Sequence, residues 1–136
     1  EPARKELTGN TQLKILYAKW TQWISIDQRA GGCLLIAAST ELDDRPGELR
    51  EYLAKQQIEW LDCIRRMAQK AVSEDSLKIG LDTRQFAFEF HSIGLSLNFS
   101  LRLLNDQKAP ERAYTAFGRL MQNAKSPPTT RIGRNN

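Results

Sequence analysis

Apolar residues recur every three or four positions along most of this chain, and no stretch alternates apolar and polar residues as a half-buried strand does. The pattern therefore predicts an all-α protein of about six helices. It is clearest over residues 11–28, 33–42, 46–72, 83–105 and 110–124. We interpret residues 1–124 as one domain and residues 125–136, which include Pro127 and Pro128, as a basic flexible tail.

Turn formers and capping residues separate the predicted helices. The segment 43–47 (Asp-Asp-Arg-Pro-Gly) favours a helix start, because acidic side chains cap the first turn and proline suits its first position. Gly80 breaks the stretch 73–82, and Asp82 or Thr83 is the expected N-cap of the next long helix.

The predicted helix over residues 83–105 carries apolar side chains on two faces. One face includes Phe90 and Leu97, and the other includes Leu95 and Phe99. The last helix is too short to cover both, and an exposed face of this size is unusual in a monomer. We therefore expect a homodimer with a four-helix interface. The predicted interface residues are His91, Leu95, Phe99, Arg102, Phe117 and Met121.

Large aromatic residues on separate predicted helices suggest an apolar cavity for a small molecule. Such sites are mostly apolar and hold a few polar groups that orient the ligand. The predicted lining residues are Trp20, Trp23, Gln56, Trp60, Phe86 and Phe90. The same rings are equally suited to solid core packing, so both interpretations stay open.

The charge distribution argues against DNA binding by this segment itself. The net charge is +4. The tail contains Lys125, Arg131 and Arg134 and no acidic residue, so it supplies three of these four charges. The remaining basic residues are interleaved with acids, whereas DNA-binding domains concentrate them on one face. We expect no sequence-specific DNA affinity.

Few residues have the types and spacing that catalysis or metal binding requires. His91 is the single histidine, and the nearby Glu89 lies on a different face of the same predicted helix. Cys33 and Cys63 are thirty positions apart with no metal-binding spacing around them. The sequence therefore predicts no enzyme, no cofactor and no metal site. It predicts reduced cysteines in a cytoplasmic protein, because no apolar run has the length of a membrane span or signal peptide.

The order of several motifs resembles that of a known family. Residues 31–34 (Gly-Gly-Cys-Leu) precede the segment 43–47, and both follow a helix that contains Trp20. Residues 60–61 (Trp-Leu) and 87–91 (Ala-Phe-Glu-Phe-His) come later in the same order. This arrangement resembles the C-terminal effector-binding and dimerisation domain of TetR-family transcriptional regulators.

The resemblance implies a particular function and architecture. Domains of this family are all-helical, bind small and often hydrophobic or aromatic effectors in their interior, and dimerise through their last two long helices. It implies the sensing and pairing domain of a regulator, most often a repressor, that contacts DNA only through a helix-turn-helix head absent from this sequence. A stand-alone helical binding or scaffold protein is the alternative. The effector, the operator and the regulated genes are not identified by the sequence.

Overall fold

The computed structural model describes residues 7–26 and 47–127. These residues form four helices: α1 (Gly9–Ile26), α2 (Glu48–Ser73), α3 (Thr83–Arg102) and α4 (Ala109–Ala124). The described segments contain no β-strand, only one isolated bridge, so the all-α prediction is confirmed. The number of helices in them is four rather than about six. The helix predicted over residues 33–42 and the acidic residues at 43–44 lie outside the described residues.

The helix ends follow the local chemistry of the sequence closely. The carboxylate of Asp82 accepts hydrogen bonds from the backbone N–H groups of Arg84 and Gln85, both at 3.1 Å, which confirms it as the N-cap of α3. Gly80, in the loop before it, has a φ of 89°, a conformation that favours glycine. The helix ends at Arg102, earlier than predicted, because Asn105 turns the chain with a φ of 53°.

Helix α3 is the centre of the fold, since it packs against each of the other three helices. Its buried face carries Phe86, Phe90 and Leu97, all at most 2% exposed. Two groups of buried side chains form the core, one around Phe90 and the other around Leu97. The half-buried Trp20 and Ile93 contact both groups and so join them into one core.

The first turn of α1 is fixed to the end of α2. The backbone N–H of Gly9 donates to Oε1 of Glu74 at 2.8 Å, and Oε2 of Glu74 pairs with Lys70 at 2.6 Å. A Cβ atom on Gly9 would lie 2.5 Å from the backbone nitrogen of Ala71, so the close approach of these helices requires glycine. The bond from Lys70, and then that from Gly9, holds the pKa of Glu74 below its usual value.

The loop after α2 pairs with the chain that leaves α4. Leu77 and Lys125 form an antiparallel bridge, and the N–H of Lys78 donates to the carbonyl of Ala124 at 2.8 Å. The predicted tail therefore begins with residues that are bonded to the domain, and its part from residue 128 onward lies outside the described residues. None of the described helices is long and apolar enough to span a bilayer.

Candidate functional site

Four of the six predicted ligand-binding residues meet in the interior. The ring centroids of Trp20 and Trp60 are 4.8 Å apart, and Trp20 stacks on Phe90 at 5.9 Å. Phe86 lies 6.4 Å from Phe90. We call Trp20, Trp60, Phe86 and Phe90, together with His91, the aromatic cluster. It brings together residues from α1, α2 and α3, which are far apart in the sequence.

Two of the predicted ligand-binding residues lie elsewhere. Trp23 was expected to face the interior, but its side chain is 48% exposed, so that expectation is wrong. The reason is helical geometry: Trp23 follows Trp20 by three residues and is rotated by about 60° around α1. Ile24, the next residue along the chain, lies on the buried face of α1 and is fully buried. Gln56 is half-buried on α2, one turn before Trp60.

His91 supplies a polar group within the aromatic cluster. The indole N–H of Trp60 donates to Nδ1 of His91 at 3.0 Å, and the imidazole stacks on Trp20 with centroids 5.7 Å apart. Burial lowers the pKa of His91 below its usual value of 6.5. A neutral imidazole that accepts at Nδ1 carries its proton on Nε2, so the second nitrogen is a donor. His91 was a predicted dimer-interface residue, but its imidazole is hydrogen-bonded to Trp60 of α2 within the chain.

Helix α3 keeps an apolar face outside the domain. Phe88 is 64% exposed, Phe99 52% and Leu95 38%. These three residues lie on one side of α3, opposite the buried face that includes Phe90. Two of them, Leu95 and Phe99, belong to the predicted dimer interface. We call these three residues the outer face of α3.

The other predicted interface residues have contacts within the chain. Phe117 is 5% exposed and stacks on Tyr17 with centroids 4.1 Å apart, so the prediction that it lies on a surface is wrong. It follows Ala113 by four residues and therefore shares the buried face of α4. The guanidinium of Arg102 donates to the carbonyl of Ile24 at 3.3 Å, near the end of α1. Met121 is half-buried and packs against the core.

The described residues do not assemble a catalytic pair around His91. Glu89 accepts a hydrogen bond from the Gln85 amide at 2.9 Å, while His91 accepts one from Trp60. No group of three His, Cys, Asp or Glu side chains suited to a metal ion occurs within residues 7–26 and 47–127. Cys63 is a half-buried free thiol, and Cys33 lies outside the described residues.

Comparison with known proteins identifies the family. Residues 9–117 match the family described as tetracyclin repressor-like, C-terminal domain. That range includes all of α1, α2 and α3, the aromatic cluster and the first half of α4. A comparison with curated proteins gave no match. The chain belongs to the tetracyclin repressor-like C-terminal domain family, and it is the effector-binding and dimerisation domain of a transcriptional regulator.

Proposed function

We propose that this domain senses a small apolar or aromatic molecule on behalf of a transcriptional repressor and that it works as a homodimer in the cytoplasm. The observation that carries the proposal is the aromatic cluster, which lies wholly within the residues that match the family. Its rings come from three helices, so a ligand that moves any of them changes how those helices pack.

The effector is proposed to bind against Trp20, Trp60 and Phe90. The indoles of Trp20 and Trp60 are only half-buried, so their open edges offer apolar area that a ligand would cover. His91 supports the choice of this place, because its Nε2–H can donate to an oxygen or nitrogen of the ligand. Phe86 and Phe90 form the closed side of the site, since both are fully buried. Gln56 offers a second polar group from α2.

Dimerisation is proposed to use the outer face of α3 together with α4. The shallow groove between these helices, about 260 Å³ in volume, is lined by small side chains that include Ser92, Ser96 and Ala116. Small side chains let two helix pairs approach closely, and the outer face of α3 supplies exposed apolar area beside them. In this arrangement two copies contribute two helices each to a four-helix bundle.

Relief of repression by the ligand would follow from coupling the effector site to the dimer. A ligand in the aromatic cluster would favour one arrangement of α1 and α2 against α3, while the dimer holds α3 and α4 fixed. Helix α1 would then change the position of any DNA-reading head that precedes it in the intact regulator, which alters the distance between the two heads and releases the operator.

The direct test is a screen of aromatic and apolar compounds against the whole chain. A ligand of the folded state must raise the midpoint of thermal unfolding, and it should change the fluorescence of Trp20 and Trp60. Trp60→Phe removes the indole N–H that orients His91 and should weaken binding by about tenfold, the value of one hydrogen bond in a buried site. Trp23→Phe, the matched control on the exposed side of α1, should leave the affinity unchanged.

Two results would contradict the proposal. The first is that no compound in such a library raises the thermal midpoint, which favours a helical scaffold without a sensing role. The second is that Trp60→Phe and Trp23→Phe affect the affinity equally, which places the ligand outside the aromatic cluster.

A further inference from the structure

A second groove, separate from the aromatic cluster, runs between α1 and α4. Its volume is about 620 Å³, within the range of pockets that hold small molecules. Aromatic and apolar side chains form its wall, among them Tyr17, Tyr114, Phe117 and Met121. Tyr17 and Phe117 stack in parallel with centroids 4.1 Å apart, and Tyr114 stands 6.5 Å from Tyr17 with 69% of its surface exposed. The groove therefore offers flat ring surfaces to a ligand.

Gly118 leaves this groove open. A Cβ atom on Gly118 would meet no heavy atom within 4 Å, although the residue lies in the middle of α4. Glycine at such a position destabilises a helix relative to alanine. Because a Cβ atom there displaces no neighbour and Gly118 lines the groove, a larger side chain at this position would project into the groove and block it.

Tyr17 contributes a hydroxyl group that has no hydrogen-bond partner in the part of the chain that the structure describes. Its side chain lines the groove and is 5% exposed, yet its hydroxyl makes no hydrogen bond with the described residues. Buried hydroxyl groups in proteins are nearly always hydrogen-bonded, because an unpaired one loses its interaction with water and gains nothing in return. Burial, and then the nearby Tyr114, raises the pKa of Tyr17 to about 12, so the group stays a donor at neutral pH. A ligand in the groove could supply an acceptor for this hydroxyl.

One end of the groove is basic. A smaller pocket of about 170 Å³ continues it and shares Lys14, Gly118 and Met121. Lys125 lines this continuation, and its backbone is fixed by the bridge to Leu77. Among residues 7–26 and 47–127, no acidic side chain lines either part of the groove. The two ammonium groups therefore favour an anion at this end, beside the apolar wall.

We propose that the groove between α1 and α4 binds an aromatic carboxylic acid, with its ring against Tyr17, Tyr114 and Phe117 and its carboxylate towards Lys14 and the Tyr17 hydroxyl. A carboxylate accepts hydrogen bonds from both a hydroxyl and an ammonium group, and the charge strengthens each bond. This second site does not depend on the effector site in the aromatic cluster.

Calorimetric titration of the whole chain with 2-naphthoic acid tests the proposal, with the neutral 2-naphthamide as the matched compound. The acid should bind, and the amide should bind about tenfold more weakly because it lacks the charge-assisted bonds. Tyr17→Phe removes only the hydroxyl and should also cost about tenfold in affinity. Lys14→Met should weaken the acid but not the amide. Gly118→Met should abolish binding of both.

Matched variants separate the groove from other sites. Lys19→Met changes an exposed lysine of α1 that does not line the groove, and Thr115→Met adds the same side chain to an exposed position of α4. Both should bind the acid as the unchanged protein does. Circular dichroism should show that every variant stays helical, because none of the changes removes a described hydrogen bond, ion pair or ring contact.

The outcomes also distinguish this proposal from the effector site. If naphthoate binds and Gly118→Met abolishes binding while Trp60→Phe does not, the groove is the site. If Trp60→Phe weakens binding and Gly118→Met has no effect, the acid occupies the aromatic cluster and the groove proposal is overturned. Absence of naphthoate binding overturns it as well, without bearing on apolar effectors of the aromatic cluster.

Discussion

The indole of Trp20 lies directly against the backbone of Gly94. A Cβ atom on Gly94 would overlap Cη2, Cζ3 and Cζ2 of that ring, so no other residue at position 94 leaves Trp20 where it is. The contact joins α1 to the middle of α3 and brings Trp20 within reach of Trp60 and His91. The geometry of the aromatic cluster therefore requires glycine, which has no side chain, at position 94.

Two glycine substitutions should have opposite effects on stability. Gly94→Ala forces Trp20 out of its place and is expected to lower the free energy of unfolding by about 1–3 kcal/mol, as overpacking of a core does. Gly118→Ala adds the same methyl group in open space and should raise it by about 1 kcal/mol, because alanine favours the helix. Urea unfolding followed by circular dichroism measures both.

The pair also contains its own control, since both residues lie within helices and both receive one methyl group. Equal changes in the two variants would mean that helix propensity alone decides the outcome and that Trp20 does not rest on Gly94. The fluorescence of Trp20 should shift towards that of an exposed indole in Gly94→Ala only.

Stability should fall as the solution becomes mildly acidic. Burial keeps the pKa of His91 below 6.5 in the folded chain, so the unfolded chain binds the proton more readily. The contribution of neutral His91 is therefore fully present above pH 6.5 and is lost as pH falls through the lower folded value. Protonation would also place an N–H on Nδ1, opposite the N–H of Trp60. Urea midpoints measured between pH 7.5 and 5 should show this decrease.

His91 is the single histidine, so His91→Gln tests the assignment cleanly. Glutamine keeps an acceptor for Trp60 but does not titrate, and the variant should show a flatter dependence of stability on pH over this range. The same slope in both proteins would show that His91 has an ordinary pKa and that another group titrates.

Tyr17 should remain protonated at high pH. Its pKa of about 12, against an ordinary 10.0, predicts a tyrosine ionisation step well above pH 10 in spectrophotometric titration of the folded chain. Because the folded pKa is raised, the stability contributed by the neutral phenol is present below pH 10 and is lost above it. Tyr17→Phe should remove the late step. A titration in which Tyr17→Phe removes no step above pH 10 would contradict the burial of this hydroxyl.

The sequence predicted well what depends on local pattern. The helical period placed α2, α3 and α4 within a few residues of their observed ends, and Asp82 was identified as a possible N-cap from its position alone. The buried stripe of α3 through Phe90 and Leu97 follows from the same period, as does the exposed pair Leu95 and Phe99. The TetR-like order of motifs gave the family, which the match over residues 9–117 confirms.

Contacts between helices were beyond such reasoning. His91 lies at the border between the buried and exposed faces of α3, and only the position of Trp60 on another helix decides that it turns inward. Phe117 was predicted to lie at the dimer interface. Its stacking on Tyr17 joins residues a hundred positions apart, and the sequence pattern does not reveal such a contact. The groove along Gly118 was missed for the same reason. A possible signal was Gly118 in the middle of a predicted helix, because glycine destabilises a helix and leaves its surface open at that position.

The central claim is that this domain binds an effector and forms a homodimer. Sedimentation equilibrium of the whole chain tests the formation of the homodimer most directly. The outer face of α3 predicts a dimer at micromolar concentration, with an interface of more than about 1,200 Å². Leu95→Glu should produce a folded monomer, whereas Ile15→Glu on α1 should stay dimeric. The two positions are matched, with 38% and 40% of their side chains exposed. A monomer in the unchanged protein, or a dimer that survives Leu95→Glu, would contradict the account.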